Sequence, residues 1–168
     1  MRTARLAVAM IILLALGACT SLNSLNMFSS LNSGHLQQNR CMGDSTGIVE
    51  TKFFQVDYQT VTMGEKVGVK AEGYLYREKL PERIQWLDAI NFTTYLSEKD
   101  GTVIDSQTVS LLPRKVVDAE LIPFEVTFDG DIFHDGDVFI SFGYSFSGYK
   151  DQFKRSVPFF AKEGAVTH

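Results

Sequence analysis

Residues 84–111 read IQWLDAINFTTYLSEKDGTVIDSQTVSL, and their reading decides the fold. Ile84, Trp86, Ile90, Phe92 and Leu96 recur at every second position, the pattern of a strand with one side buried. Asp88 and Thr94 interrupt that side. The strand ends at a turn that register can argue. A two-residue loop at Asp100-Gly101 would set Leu96 against Asp105. A three-residue loop, Lys99-Asp100-Gly101, sets Leu96 against Ile104. Matching apolar residues across the pair favours the second, with Gly101 at the left-handed bulge position. The return strand runs from Thr102 to Leu111, and Pro113-Arg114-Lys115 breaks it. A long strand and its hairpin return make this part of the chain antiparallel.

Working outward, the same texture recurs. Val138, Ile140, Phe142, Tyr144 and Phe146 point inward, with Ser141, Gly143 and Ser145 outward. Phe124, Val126 and Phe128 share one side of a strand over Leu121–Phe128, where Pro123 marks the start or an edge. Gly148-Tyr149-Lys150-Asp151 turns the chain into a last strand, Phe153–Ala161, whose Pro158 implies an edge or a sheet switch. Upstream, Val67, Val69, Ala71, Gly73 and Leu75 share a face, and Gly73 implies a bulge or a close backbone approach. Ile48–Gln59 is a strand in one piece or two halves, and Arg77–Arg83, with Pro81, is a loop. No helical periodicity extends past two turns. About seven strands without crossover helices predict an all-β, antiparallel β-sandwich of immunoglobulin-like type over residues 47–162, with 163–168 a disordered tail. Thirteen Phe suffice for one core.

The N-terminus is of another kind. Arg2 and Arg5 precede an unbroken apolar run, Leu6–Leu16, and then Gly17, Ala18 and Cys19. The run is short of the roughly 20 apolar residues that span a bilayer, and small residues before a cut mark a secretory signal. Leu16-Gly17-Ala18-Cys19 resembles the lipobox of bacterial lipoproteins. The resemblance implies cleavage of a signal peptide, residues 1–18, and lipidation of Cys19, which becomes the first mature residue. It also implies a thioether-linked diacylglycerol and an acylated amino group, such as a palmitoyl amide. Two or three chains anchor stably, at about 0.8 kcal/mol per buried methylene. Thr20 stands where such lipoproteins carry Asp for inner-membrane retention. That implies the outer membrane, facing the periplasm.

Residues 19–46 form the lipidated N-terminus and a flexible tether. Ser-Leu-Asn occurs three times between Ser21 and Asn32 without a fixed period. A short amphipathic helix with Leu22, Leu25 and Met27 on the membrane competes with that reading. After cleavage, 14 basic residues face 20 acidic ones, a net charge of −6. This argues against nucleic acid as a partner and against holding an anionic surface by charge.

Within the strand region, Val67-x-Val69-x-x-x-Gly73, Tyr95-Leu96 with Asp100-Gly101-Thr102-Val103, Ile122-Pro123-Phe124-x-Val126-x-Phe128 and Phe142-x-Tyr144 follow in order. This order is similar to the immunoglobulin-like envelope domains of the FxLYD type and to late-embryogenesis-abundant-like sandwiches, although the literal Phe-x-Leu-Tyr-Asp motif is absent. The resemblance implies a non-enzymatic sandwich with no shared catalytic residues.

Candidate chemistry is sparse. Asp129, Asp131, Asp135 and Asp137 with His134 fall within nine residues, and Asp-Gly-Asp offers calcium two oxygen ligands. No Glu closes an EF-hand loop, and such loops also use Asp and Gly for turn geometry alone. Cys41 has no partner once Cys19 is acylated. It reads as a buried thiol, or else as a reactive one with His35 six residues away. Asp88 is the carboxylate that burial would raise, although such a residue more often marks where a strand bends or emerges. There is no nucleophile elbow, zinc-protease helix motif or phosphate loop, so no catalytic residue and no cofactor is expected. Tyr74, Tyr76, Tyr95 and Tyr149 would make a partner patch if clustered. Edge strands near Pro123 and Pro158 could accept a partner's strand. The sequence therefore predicts a lipid-anchored envelope protein that binds another envelope protein, with a small-ligand or calcium module on the 129–137 loop as the alternative.

Overall fold

A computed structural model describes residues 29–30, 36–41, 43–133 and 137–167. The signal, Cys19, most of the tether, His35, His134 and Asp135 lie outside the described residues.

The chain is all-β. Two short strands, β1 (Ser29–Ser30) and β2 (Asn39–Cys41), precede β3 (Thr46–Glu50), β4 (Phe54–Met63) and β5 (Lys66–Leu75). The hairpin β6 (Trp86–Ser97) and β7 (Val103–Leu111) follows, with β8 (Arg114–Lys115) after it. Then come β9 (Leu121–Asp129), β10 (Val138–Tyr149), β11 (Phe159–Glu163) and β12 (Val166–Thr167). Four strands form one sheet in the order β3-β4-β5-β9. Six form the other, β11-β10-β6-β7, with β2 also on β10 and β8 on β6. These ten strands exceed the seven expected, but the expected core is among them. The order β4-β5-β9 facing β7-β6-β10-β11 is that of an immunoglobulin-like Greek key.

Aromatic rings fill the space between the sheets. Phe92 of β6 stacks on Phe124 of β9 at 4.5 Å between centroids and meets the edge of Phe54 of β4 at 4.9 Å. Gly73 is a close approach rather than a bulge. A Cβ there would lie 2.7 Å from Cζ of Phe92, so the ring of one sheet occupies the space a side chain of the other would need.

The 84–111 stretch departs from simple alternation twice. Opposite Phe146, β6 carries an extra residue, and Ala89 adopts φ +48° there. The bulge flips the sense of what precedes it. Leu87 rather than Trp86 is buried, and Asp88 turns toward Lys154. The hairpin has the three-residue loop, with Gly101 at φ +92° and Glu98 N–H donating to Thr102 O at 2.9 Å. Yet Leu96 faces Asp105, not Ile104, because Ile104 is a second bulge, on β7. That bulge lets Val109 and Leu111 pack on the main core while Val103 turns to the opposite face.

What Val103 meets there corrects a further expectation. Ser141 and Gly143 point away from the main core but are buried. Leu36, Val103, Tyr95 and Ala165 form a small second core outside the six-stranded sheet. Segments read as tether and tail supply it: Leu36 precedes β2, Ala165 follows β11, and β1 pairs with β12. The last strand is also shorter than expected. Residues 152–158 are a loop, and only Phe159–Glu163 pairs with β10.

Candidate functional site

A groove of about 1080 Å³ opens along one side of the sandwich. Three segments wall it: Lys52-Phe53 in the β3–β4 turn, Lys79-Leu80-Pro81 in the β5–β6 loop, and the run from Phe159 to Ala165. Local chemistry fixes each wall. The Thr51 hydroxyl donates to Phe54 O at 2.8 Å and accepts from Phe54 N–H at 3.0 Å, which closes the first turn tightly. Tyr76 N–H then donates to Phe53 O at 2.9 Å and ties this turn to the end of β5. Phe53 is thereby laid across the groove floor, edge-on to Tyr144, Phe146 and Phe159 at 6.2, 5.8 and 5.7 Å.

Glu163 joins two of the walls. Its carboxylate accepts the Lys52 backbone N–H at 2.9 Å and the Tyr144 hydroxyl. Burial, and then the neighbouring carboxylate, push the Tyr144 phenol far above its ordinary value, so it stays a proton donor. The rim is cationic. Lys52, Lys79 and Lys162 line it, and none makes an ion pair among the described residues. Lys79 Nζ sits 3.7 Å from the centroid of the Tyr76 ring. Burial and a hydrogen bond to Glu50 raise the Tyr76 phenol to about 12.

The residues singled out from sequence are scattered. Cys41 is buried on β2 opposite Val138, and burial pushes its thiol up although Ser45 and Thr60 hydrogen-bond to it. Asp88 stands beside the β6 bulge, where the strand bends as one reading had it, and only the raised pKa is corrected. Its hydrogen bond with Lys154 holds the carboxyl below the ordinary range instead of burial raising it. The two lie at opposite ends of β10, beside Val138 and Ser147, roughly 30 Å apart at the usual rise per residue. No common site joins them. Of the acidic loop, Asp129 ends β9, Asp131 lies in a 3₁₀ turn (Gly130–Phe133), and Asp137 pairs with Arg40. Among the described residues no group of three His, Cys, Asp or Glu side chains is placed to hold a metal.

The tyrosines do not cluster as one patch. Tyr74 and Tyr76 meet edge-to-face at 5.9 Å, Tyr95 belongs to the second core, and Tyr149 lies opposite Trp86. Pro123 and Pro158 do mark edges, β9 and the approach to β11. The groove lysines were missed, since three Lys far apart in sequence carry no mutual signal. The Phe159-Phe160 doublet, which breaks alternation, was the legible hint.

No family model, curated protein or solved structure matches the chain. Among the described residues no helix is long and apolar enough to cross a membrane.

Proposed function

We propose that this chain is a lipid-anchored, non-enzymatic binding module of the bacterial cell envelope. Cys19 holds it at the outer membrane, and the sandwich in the periplasm docks another envelope protein in the groove beside β11. The lipobox Leu16-Gly17-Ala18-Cys19 supports the anchor. The observation that carries the docking role is the groove itself. An open cleft in which exposed Phe160 and half-buried Phe159 stand beside three lysines free of ion pairs among the described residues offers a partner both apolar area and charge. A binding rather than catalytic role is favoured because Cys41 and Asp88, two of the candidate chemical groups, stand apart beside opposite ends of β10.

Crosslinking in living cells, read by mass spectrometry, tests this. The native chain should incorporate labelled palmitate and capture one discrete envelope protein. Cys19→Ala should lose both the label and the partner. A palmitate-free native chain, or an unchanged partner in Cys19→Ala, contradicts the anchor as the placing device.

A further inference from the structure

Resting on that reading, we infer how the groove recognises its partner. An extended segment in which apolar residues alternate with carboxylates adds to β11 as the next strand of the six-stranded sheet.

The first ground is the edge itself. β10 has β6 along one side, so β2 and β11 share the other, and among the described residues β11 has no further strand neighbour. The second is the way the groove is lined. Neighbouring residues of a strand point to opposite faces, so a cleft on one face is lined by every second residue. This groove is lined by every residue from Phe159 to Ala165, including buried Ala161 and exposed Phe160 and Lys162. A cleft touched by both faces of a strand runs along its edge.

The third ground is what protects the two edges of the four-stranded sheet. On β3, side-chain amides cover the backbone. Asn39 and Gln37 donate to Ile48 O at 2.9 and 3.3 Å, and Glu50 N–H donates to Gln37 at 3.0 Å. The β9 edge carries Pro123, which has no N–H to offer. Among the described residues β11 has no comparable plug, and edges left so are sites of strand addition.

Charge then selects the occupant. Lys52, Lys79 and Lys162 line a groove in a protein whose acidic residues outnumber its basic ones, 20 to 16. Glu163 is already engaged by Lys52 N–H and Tyr144. Carboxylates on the added strand would meet the lysines. Its alternate apolar residues would reach Phe53, Leu80 and Phe159 on the inner side. β11 has five residues, so the paired stretch is about 17 Å long.

Fluorescence anisotropy with the full chain in detergent tests the inference. The probe is a fluorescein-labelled octapeptide of alternating Val and Glu. The comparisons are the same peptide with Lys for Glu and the same peptide N-methylated at every residue. The Val/Glu peptide should bind, and both comparison peptides should bind about tenfold more weakly or worse. Lys52→Glu combined with Lys162→Glu, both at exposed positions, should reverse the preference toward the Lys peptide. Equal binding of the N-methylated peptide overturns strand pairing. Indifference to peptide charge overturns the lysines' role. If no peptide binds but dodecanoate does, the groove is a lipid site and the inference fails. If no peptide binds while a discrete partner is still captured in cells, only the strand-addition mode fails and the partner-docking reading survives.

Discussion

Replacing Gly73 with Ala should destabilise the sandwich through a single collision between its sheets. The new Cβ would lie 2.7 Å from Cζ of Phe92 and 3.3 Å from each Cε. Phe92 is fully buried and cannot retreat, because Phe124 stacks on it at 4.5 Å with the planes 3° apart. The methyl must be accommodated by moving strands, an overpacking cost of about 1–3 kcal/mol. Loss of glycine's freedom in the unfolded chain returns about 0.4–1 kcal/mol, since Gly73 does not occupy a left-handed conformation. The net expectation is a loss of about 1–2 kcal/mol, read from urea midpoints at unchanged slope. The same substitution in a Phe92→Leu background should cost clearly less, because the shorter side chain vacates the collision. A neutral Gly73→Ala, or an equal cost in both backgrounds, would refute the face-to-face packing of β5 on β6.

Three further outcomes follow from the same geometry. Thr94 is fully buried and its hydroxyl has no hydrogen-bond partner among the described residues, so Thr94→Val should stabilise the fold by about 1 kcal/mol in the same urea assay. The Asp88 carboxyl is held below its ordinary value, chiefly by Lys154, so its contribution is present above the unfolded value near 3.9 and is lost as pH falls through the lower folded one. Urea midpoints measured down through that range should fall less steeply in Lys154→Met than in the native chain. Cys41 is buried with a raised pKa, so in Cys19→Ala its thiol should react with an aromatic disulfide reagent only as fast as the chain opens; rapid labelling of the folded protein would restore the reactive-thiol reading.

The inward sets of β5, β9 and β10 were legible because each repeats at period two without interruption. The same rule failed in the hairpin, where bulges at Ala89 and Ile104 each invert the sense of the strand. Nothing in Asp88-Ala89-Ile90 signals a left-handed residue, since alanine is not the usual occupant. The second core was hidden for a different reason. Leu36 is a single apolar residue among polar ones and Ala165 lies in a short Gly-Ala-Val run near the chain end, and only the paired chain ends bring them onto Tyr95 and Val103. The groove is likewise a product of topology. Lys52, Lys79 and Lys162 come from three separate segments, so no local pattern joins them. Pro158 did point to the right edge, but it ends the loop before β11 and does not lie within a strand.

The most direct test of the account replaces Phe160, 71% exposed on β11, with p-benzoylphenylalanine in living cells and compares it with the same probe at Leu112, 80% exposed beyond the far edge of the sheet. Position 160 should give one discrete crosslinked protein, lost when Lys52→Glu and Lys162→Glu are added, and position 112 should give none. A partner captured from position 112 and not from 160 would place recognition elsewhere on the sandwich and contradict the central claim.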